Sequence, residues 1–485
     1  MKLTFSKHTL FRNMFIRLSA TLVLVSSVLL LGCASLPDLP GASRPGDGSP
    51  GVGSVGVGVG VEIKINGLRT ALSAGQVRTT VARLSNDEAS AEAVQRHLLR
   101  ESSMDGSALT AGNAVSLLQD GPATYQAMLA AIEAARDHIN METYILEDDE
   151  VGQKFAKALI AKQKAGVQVN LIHDSVGTLG TPAEFFAALT DSGVAVLEFN
   201  PVNPLLARKG WELNQRDHRK LLIVDGRVAF LGGINISGVY SGSSFKLRSR
   251  SAKNAGPAWR DTDLRIQGPV VAEFQKLFIE TWSAQLGPPL ADKNYFPELK
   301  REGPQVVRAV GSAPDDPARL VYTELLSAVA AAQDSVRITN AYFAPDPQLL
   351  SVLEGAAQRG VPVDLILPSQ TDSWLVFHAG RGYYERLLNA GVRIHERLDV
   401  ILHSKTALID GVWATVGSTN LDWRSFLHNQ EINAVVIGAG FGAQVQAMFD
   451  RDLAASKTIT LMDWQQRPLT VRVKELFARV WAYWL

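Results

Sequence analysis

RDHRKLLIVDGRVAFLGGIN, residues 216–235, and VILHSKTALIDGVWATVGSTN, residues 400–420, are two copies of one pattern. The first holds His218, Lys220, Asp225, Gly232, Gly233 and Asn235, and the second His403, Lys405, Asp410, Gly417, Ser418 and Asn420. In both, His-x-Lys is followed by four residues, an Asp, six residues, Gly-Gly or Gly-Ser, one residue and Asn. Apolar residues fill the stretch from Lys to Asp, as in a buried strand. Residues two apart on a strand project from one face, so each His lies beside its Lys. An imidazole can serve as nucleophile or as general acid/base. The ammonium and the Asn amide can hold a phosphate oxygen, and Gly lets the backbone approach it. One copy is half of a double-displacement site, and two copies together supply one His to attack phosphorus and another to protonate the leaving oxygen.

The flanking text repeats as well. RGVPVDLIL parallels AGVQVNLIH, and NAGVRIHE parallels DSGVAVLEF. Helical stretches at YQAMLAAIEAARDHI and VGQKFAKALIAKQKAG alternate with strand stretches at NMETYIL and VQVNLIHD, and the second half replays that order. This is an internal duplication rather than a short-period solenoid. It predicts an α/β protein with two similar halves, pseudo-twofold symmetry, and an active site on the seam where the two histidines meet. The boundary is expected within residues 297–311, where ELKREGPQ breaks the pattern.

These paired stretches resemble the double motif of the phospholipase D superfamily. METYILEDDEVG, GVQVNLIHDSVG, FNPVNP, RITNAYFAPDPQLL, RGVPVDLILPSQTD and GSTNLDWRSF are similar to bacterial cardiolipin synthases, and the resemblance runs from about Asn113 to the C-terminus. It implies two tandem α/β/α domains, residues 113–303 and 304–485. It implies a phosphatidyl transfer between two phosphatidylglycerol molecules that releases glycerol, through a phosphohistidine and without metal or cofactor. The alternative is hydrolysis to phosphatidic acid, in which water is the acceptor. His218 is expected as nucleophile and His403 as acid/base. Lys220, Lys405, Asn235 and Asn420 are expected at the non-bridging oxygens, with Ser418 adding a hydroxyl. Glu431 stands where the family carries an acidic residue that orients a histidine. Asp261 is its counterpart in the first half, with Asp263 as substitute. Asp225 and Asp410 complete the motif, but before Gly at a strand end they should fix backbone rather than touch substrate. The second motif reads His-Ser-Lys where such synthases more often have Ala, a change between the working residues.

Composition fits this reading. Lys+Arg and Asp+Glu balance at 48 each, which argues against a generally basic nucleic-acid binder. The apolar fraction of 46% and charged fraction of 20% are those of a globular protein. The only cysteine, Cys33, excludes an intrachain disulfide. Lys2, Lys7, Arg12 and Arg17 precede the apolar run LSATLVLVSSVLLLG, which ends in Leu31-Gly32-Cys33-Ala34. Residues 1–33 therefore have the layout of a secretory signal and resemble a lipobox, with Cys33 as lipidation site. Ala34 favours the periplasmic face of the outer membrane. Residues 34–62, rich in Gly and Pro, read as a flexible tether, and residues 63–112 carry no assignable role.

Two more stretches bear on a lipid surface. Residues 240–260 carry Lys246, Arg248, Arg250 and Lys253 and no acid before Asp261, which suits a solvated loop or a flap over anionic headgroups. In the tail VKELFARVWAYWL, Val473, Leu476, Phe477, Val480 and Trp484 share a helical face, expected to pack in the core, with insertion of Trp481, Tyr483 and Trp484 into a membrane as the alternative. His173, His378 and His395 are expected to be structural or exposed.

Overall fold

The computed structural model describes residues 62–68, 70–206, 211–244, 257–314 and 316–481. The signal-like segment with Cys33, nearly all of the Gly/Pro-rich stretch, the four cations of the 240–260 loop, Tyr483 and Trp484 lie outside these residues.

Two helices, α1 (Ala74–Leu84) and α2 (Glu88–Ser102), precede the first half. That half runs β1 (Leu109–Gln119), α3 (Asp120–Ala134), β2 (His138–Thr143), α4 (Glu150–Lys164), β3 (Gln168–Asp174), α5 (Ala183–Asp191) and β4 (Ala195–Phe199). It continues through β5 (Arg216–Asp217), β6 (Leu221–Val224), β7 (Val228–Gly232), β8 (Ala258–Arg260), β9 (Thr262–Gln267) and α6 (Val271–Ala284). The second half runs β10 (Gln305–Ser312), α7 (Leu320–Ala331), β11 (Val336–Asn340), α8 (Pro347–Gln358), β12 (Val363–Pro368), α9 (Trp374–Arg381), α10 (Tyr384–Asn389) and β13 (Arg393–Arg397). It ends with β14 (Val400–Leu402), β15 (Lys405–Ile409), β16 (Trp413–Gly417), β17 (Asn429–Ile437), α11 (Ala439–Ala454), β18 (Ser456–Ile459) and α12 (Leu469–Val480).

The duplication read from sequence is a duplication of topology. The first sheet has the order β4-β3-β2-β6-β7-β9-β1. The second has β13-β12-β11-β15-β16-β17-β10, with β18 added beyond β13. In both, the first three strands are parallel and the motif hairpin pairs antiparallel to them. The sheets join edge to edge, because β10 pairs antiparallel with β1, Val306 opposite Ala111 and Val307 opposite Thr110. One apolar core crosses that join, from Leu264, Phe274 and Phe278 to Val307, Leu408, Ile432 and Val436. Each such fully buried side chain contributes about 1.5–3 kcal/mol, so the halves fold as one body.

Two further strand pairs cross the seam and set the site. β5 pairs in parallel with the start of β17, Arg216 opposite Asn429 and Asp217 opposite Gln430. β14 pairs in parallel with β8, Val400 opposite Ala258 and Leu402 opposite Arg260. Each pair ends one residue before a motif histidine on one strand and an acid on the other.

Two helices end earlier than their apolar period suggests. YQAMLAAIEAARDHI reads as helix through Ile139, yet α3 stops at Ala134. The cause is Asp225, whose carboxylate accepts hydrogen bonds from the amides of Arg136, Asp137 and His138 at 2.8–3.1 Å. Asp410 does the same for Gln333, Asp334 and Ser335 after α7. Both aspartates have positive φ and are followed by glycines of positive φ, the geometry of the tight turn that joins the two strands of each hairpin.

Residues 63–112 brace the second half. Arg96 Nη2 and His97 Nε2 lie 2.9 and 3.1 Å from Asp410 Oδ2. Glu101 pairs with Arg308 at 3.1 Å and accepts from Trp413 Nε1 at 2.7 Å. The tail contradicts the core-packing expectation: Val473, Leu476, Phe477 and Val480 of α12 face outward, and Glu475 and Ala478 are the buried residues.

Candidate active site

The seam pairs bring each histidine to an acid of the opposite half. His218 Nδ1 donates to Glu431, 3.0 Å from Oε1 and 3.1 Å from Oε2. His403 Nδ1 donates to Asp261 Oδ2 at 2.7 Å. The backbone enforces this crossing, because His218 N donates to Gln430 O at 3.0 Å and His403 N to Arg260 O at 2.8 Å. A carboxylate on Nδ1 fixes the tautomer and leaves Nε2 of each ring for chemistry. Asp261, not Asp263, is the acid at His403. Asp263 instead accepts from Ile234 N at 3.1 Å and is buried, which holds its carboxyl well above the usual range.

The lysines complete the symmetry. Lys220 Nζ donates to His218 O at 2.6 Å and stands over the Tyr144 ring. Lys405 Nζ donates to His403 O, lies 3.0 Å from His403 Nδ1 and stands over the Tyr342 ring. Burial is the main force on all four cationic groups. It lowers His218 to about 4, with Lys220 and Lys405 adding to the shift and Glu431 opposing it. His403 is likewise lowered, by burial and then by Lys405. Burial lowers Lys220 to about 7 and Lys405 to about 8. Burial pushes Glu431 up, but His218, Lys220 and Ser418 outweigh it and hold the carboxylate low. An anion placed among these groups would restore the charge that burial takes from them.

The remaining motif residues fall differently from expectation. Ser418, expected at phosphate, donates to Glu431 Oε2 at 2.5 Å and accepts from Ile432 N at 3.0 Å. Its hydroxyl is thus committed to positioning the acid. The matching Gly233 explains the difference between the copies: a Cβ there would lie 2.3 Å from Asp261 Oδ1. Asn235 has both ends of its amide engaged, accepting from Ile145 N at 3.2 Å and donating to Tyr240 Oη at 3.1 Å. Asn420 keeps a buried Oδ1 with no partner among the described residues. Asp225 and Asp410 hold backbone amides at the other end of their strands, as their place before Gly suggests.

An aromatic wall not among the expected site residues lines the two histidines. Tyr144 meets His218 edge-on with ring centres 5.1 Å apart, and Tyr342 meets His403 in the same way at 6.0 Å. The repeat held the signal, since METYIL and TNAYFA place these tyrosines at equivalent positions. Trp259 and Tyr240 also flank His403, with Tyr240 Oη 3.3 Å from Nδ1. Tyr240 occupies the position of Ser425 in the second copy, so no repeat could reveal it.

Comparison with known proteins agrees with this arrangement. Residues 128–245 and 325–453 match the family model described as cardiolipin synthase, PLD-like domain. The chain is 36% identical to a cardiolipin synthase of Geobacillus sp. (strain WCH70) over 367 residues, 75% of this chain and 71% of the relative. It is 33% identical to the major cardiolipin synthase of Bacillus subtilis (strain 168), over 76% of this chain and 75% of that one. Among solved structures, a phosphatidylserine synthase of Haemophilus influenzae aligns with a TM-score of 0.57 at 15% identity, covering 81% of this chain and 98% of its own, which shows a shared fold. The chain belongs to the cardiolipin synthase family of phospholipase D-like proteins.

Proposed function

We propose that this enzyme joins two phosphatidylglycerol molecules into cardiolipin and releases glycerol. The observation that supports this most is the pair of crossed carboxylate–imidazole contacts, each beside a buried lysine, in a chain similar to cardiolipin synthases. His218 Nε2, neutral because burial depresses its pKa, attacks the phosphorus of the first lipid. The bond from phosphorus to glycerol oxygen breaks, and the imidazolium of His403 gives that oxygen its proton. The bound phosphodiester anion favours this charged form of His403, as does Asp261. A hydroxyl of the second phosphatidylglycerol then gives its proton to His403 and attacks the phosphohistidine, and the nitrogen–phosphorus bond breaks. Lys220 and Lys405 neutralise the oxygens of the transition state.

Tyr144 crowds the imidazole of His218, and Tyr342, Tyr240 and Trp259 crowd that of His403. Such walls keep water from the phosphohistidine and favour transfer over hydrolysis. The test is incubation with headgroup-labelled phosphatidylglycerol in mixed micelles, with products separated by mass. Cardiolipin and glycerol, lost in His218→Ala and His403→Ala, are expected. Phosphatidic acid without cardiolipin would replace this reading with a hydrolase.

The anchoring proposal rests on sequence. Leu31-Gly32-Cys33-Ala34 after an apolar run supports a lipoprotein acylated at Cys33 and held on the periplasmic face of the outer membrane. No helix of the described residues is long and apolar enough to cross a membrane. Mass spectrometry of the mature N-terminus tests this, and an unmodified Cys33 would reject it.

A further inference from the structure

Helix α12 is turned the wrong way for a soluble surface. At 3.6 residues per turn, Leu469, Val473, Leu476, Phe477 and Val480 fall within an arc of roughly 100°. All five are exposed, by 56% to 75%. The inward side holds Ala478, packed on Ala344, Val376 and Ala379, and Glu475, which accepts from Arg467 Nε at 3.0 Å. Arg472, Lys474 and Arg479 are exposed and border the apolar arc, the two arginines on one side and the lysine on the other. The only acid of the helix is the buried Glu475. A continuous apolar stripe edged by cations and free of exposed acids complements an anionic lipid surface.

Its place in the fold ties this stripe to the active site. α12 packs on α9 through Ala478, Val376 and Ala379. Just before α9, Asp372 accepts from Tyr342 Oη at 2.6 Å, and the Tyr342 ring faces His403. Trp374, at the start of α9, is exposed. The first half exposes apolar side chains at the same strand ends. His218 sits at the carboxyl ends of β2 and β3, since Tyr144 follows β2 and Asp174 at the end of β3 accepts from Asp217 N at 2.9 Å. The loops leaving β3 and β4 at that edge expose Leu179 at 67% and Leu205 at 90%. Leu206 and Leu213 are exposed in the same loop that leads into β5 and His218.

We infer that this edge of both halves is a bilayer-docking surface, with α12 lying in the interface of an anionic membrane. Its stripe enters the headgroup–acyl boundary by about 5–10 Å, and Lys474 reaches phosphate depth by extending its side chain, while Arg472, which donates to Gln465 O, and Arg479, over the Tyr383 ring, add positive charge from the protein side. That posture brings headgroup phosphodiesters to the mouth of the site without extracting the lipid. The inference rests on the phospholipid reading above and adds where the protein meets the membrane.

The test uses the full chain with Cys33→Ser, so that an introduced cysteine is the only one. An environment-sensitive fluorophore is placed at Leu476→Cys on α12, or at Lys157→Cys on the exposed face of α4 as control. Vesicles of phosphatidylglycerol and phosphatidylcholine are added, with and without brominated acyl chains. A blue shift and bromine quenching at 476, absent at 157, is the expected result. No response at 476 would overturn the inference. So would a signal already shifted before vesicles are added, which would assign the stripe to a second copy or to the apolar run before Cys33. In a second arm, Leu476→Asp with Val480→Asp should lower turnover of vesicle phosphatidylglycerol by roughly tenfold, as interfacial binding is lost. Turnover of a monomeric short-chain phosphatidylglycerol should stay near the parent's, and equal losses on both substrates would contradict docking. If the parent turns over neither form, the functional reading fails, while the fluorophore still reports on docking.

Discussion

Glu431→Gln isolates the electrostatic link across the seam. Glu431 is fully buried and accepts from His218 Nδ1, from Ser418 Oγ at 2.5 Å and from Asn429 Nδ2 at 3.2 Å. The glutamine keeps volume and shape and removes the charge. A hydrogen bond to a charged group contributes about 1.5–3 kcal/mol, and about 1.4 kcal/mol is tenfold in rate. The loss in kcat should therefore be roughly 10- to 100-fold from this contact alone. The amide can also donate to Nδ1, which moves the ring proton to Nε2, the nitrogen proposed to attack, so the observed loss should lie at or beyond the upper figure. The pH profile separates this cause from misfolding. Glu431 raises the pKa of His218 against burial. Without its charge that pKa falls further, and the acid limb of kcat/KM moves down in pH or stays. Steady-state turnover of phosphatidylglycerol between pH 4 and 9, with circular dichroism to verify folding, is the assay. Wild-type rates, or an acid limb displaced upward, would refute the reasoning.

Other outcomes follow from the same geometry. Gly233→Ala should abolish turnover while the protein stays folded, because its Cβ would collide with Asp261 and displace the acid from His403; a rate near wild type would contradict the packing. Ser418→Ala should lower kcat with little change in KM, since the hydroxyl holds Glu431, and a rise in KM alone would return Ser418 to the phosphate. His403 must carry its proton to act as acid and burial lowers its pKa, so kcat/KM should fall as pH rises past that group and fall further as the lysine ammoniums, with pKa values near 7 and 8, are lost, while the acid limb lies near 4; a flat profile from pH 6 to 9 would contradict the assignment. Burial pushes Asp410 up, but His97, the Asp334 amide and Arg96 outweigh it and hold it below 3.8. A depressed carboxyl adds stability that is present above its unfolded pKa and lost as pH falls through the folded one. Asp410→Asn should thus cost about 3 kcal/mol at pH 7, the scale for removing one partner of a buried pair. The difference from wild type should shrink in acid, and equal denaturation midpoints at pH 7 would reject the brace.

The motif copies made the fold legible, because a repeat of typed residues at fixed spacing repeats a hairpin and its neighbours. The duplicated sheet order follows from it. Less legible was anything set by contacts across the seam. Sequence placed Glu431 with the second half, yet its carboxylate belongs to His218, because β17 pairs with β5. Ser418 reads as a phosphate ligand only while its neighbour Glu431 is out of view. The period of α3 runs on past its true end because Asp225, far along the chain, takes the amides that would continue it. The tail is hard to read from sequence for a related reason. An amphipathic period shows that one face is apolar, but not whether that face meets a core or stays exposed.

Rapid-quench mass spectrometry of the protein mixed with phosphatidylglycerol decides whether the reaction runs through a phosphohistidine. A phosphatidyl adduct is expected on the peptide containing His218, absent in His218→Ala and slow to form in His403→Ala. An adduct on His403 would reverse the roles of the two halves. Turnover with no covalent adduct at any quench time would contradict the double displacement itself.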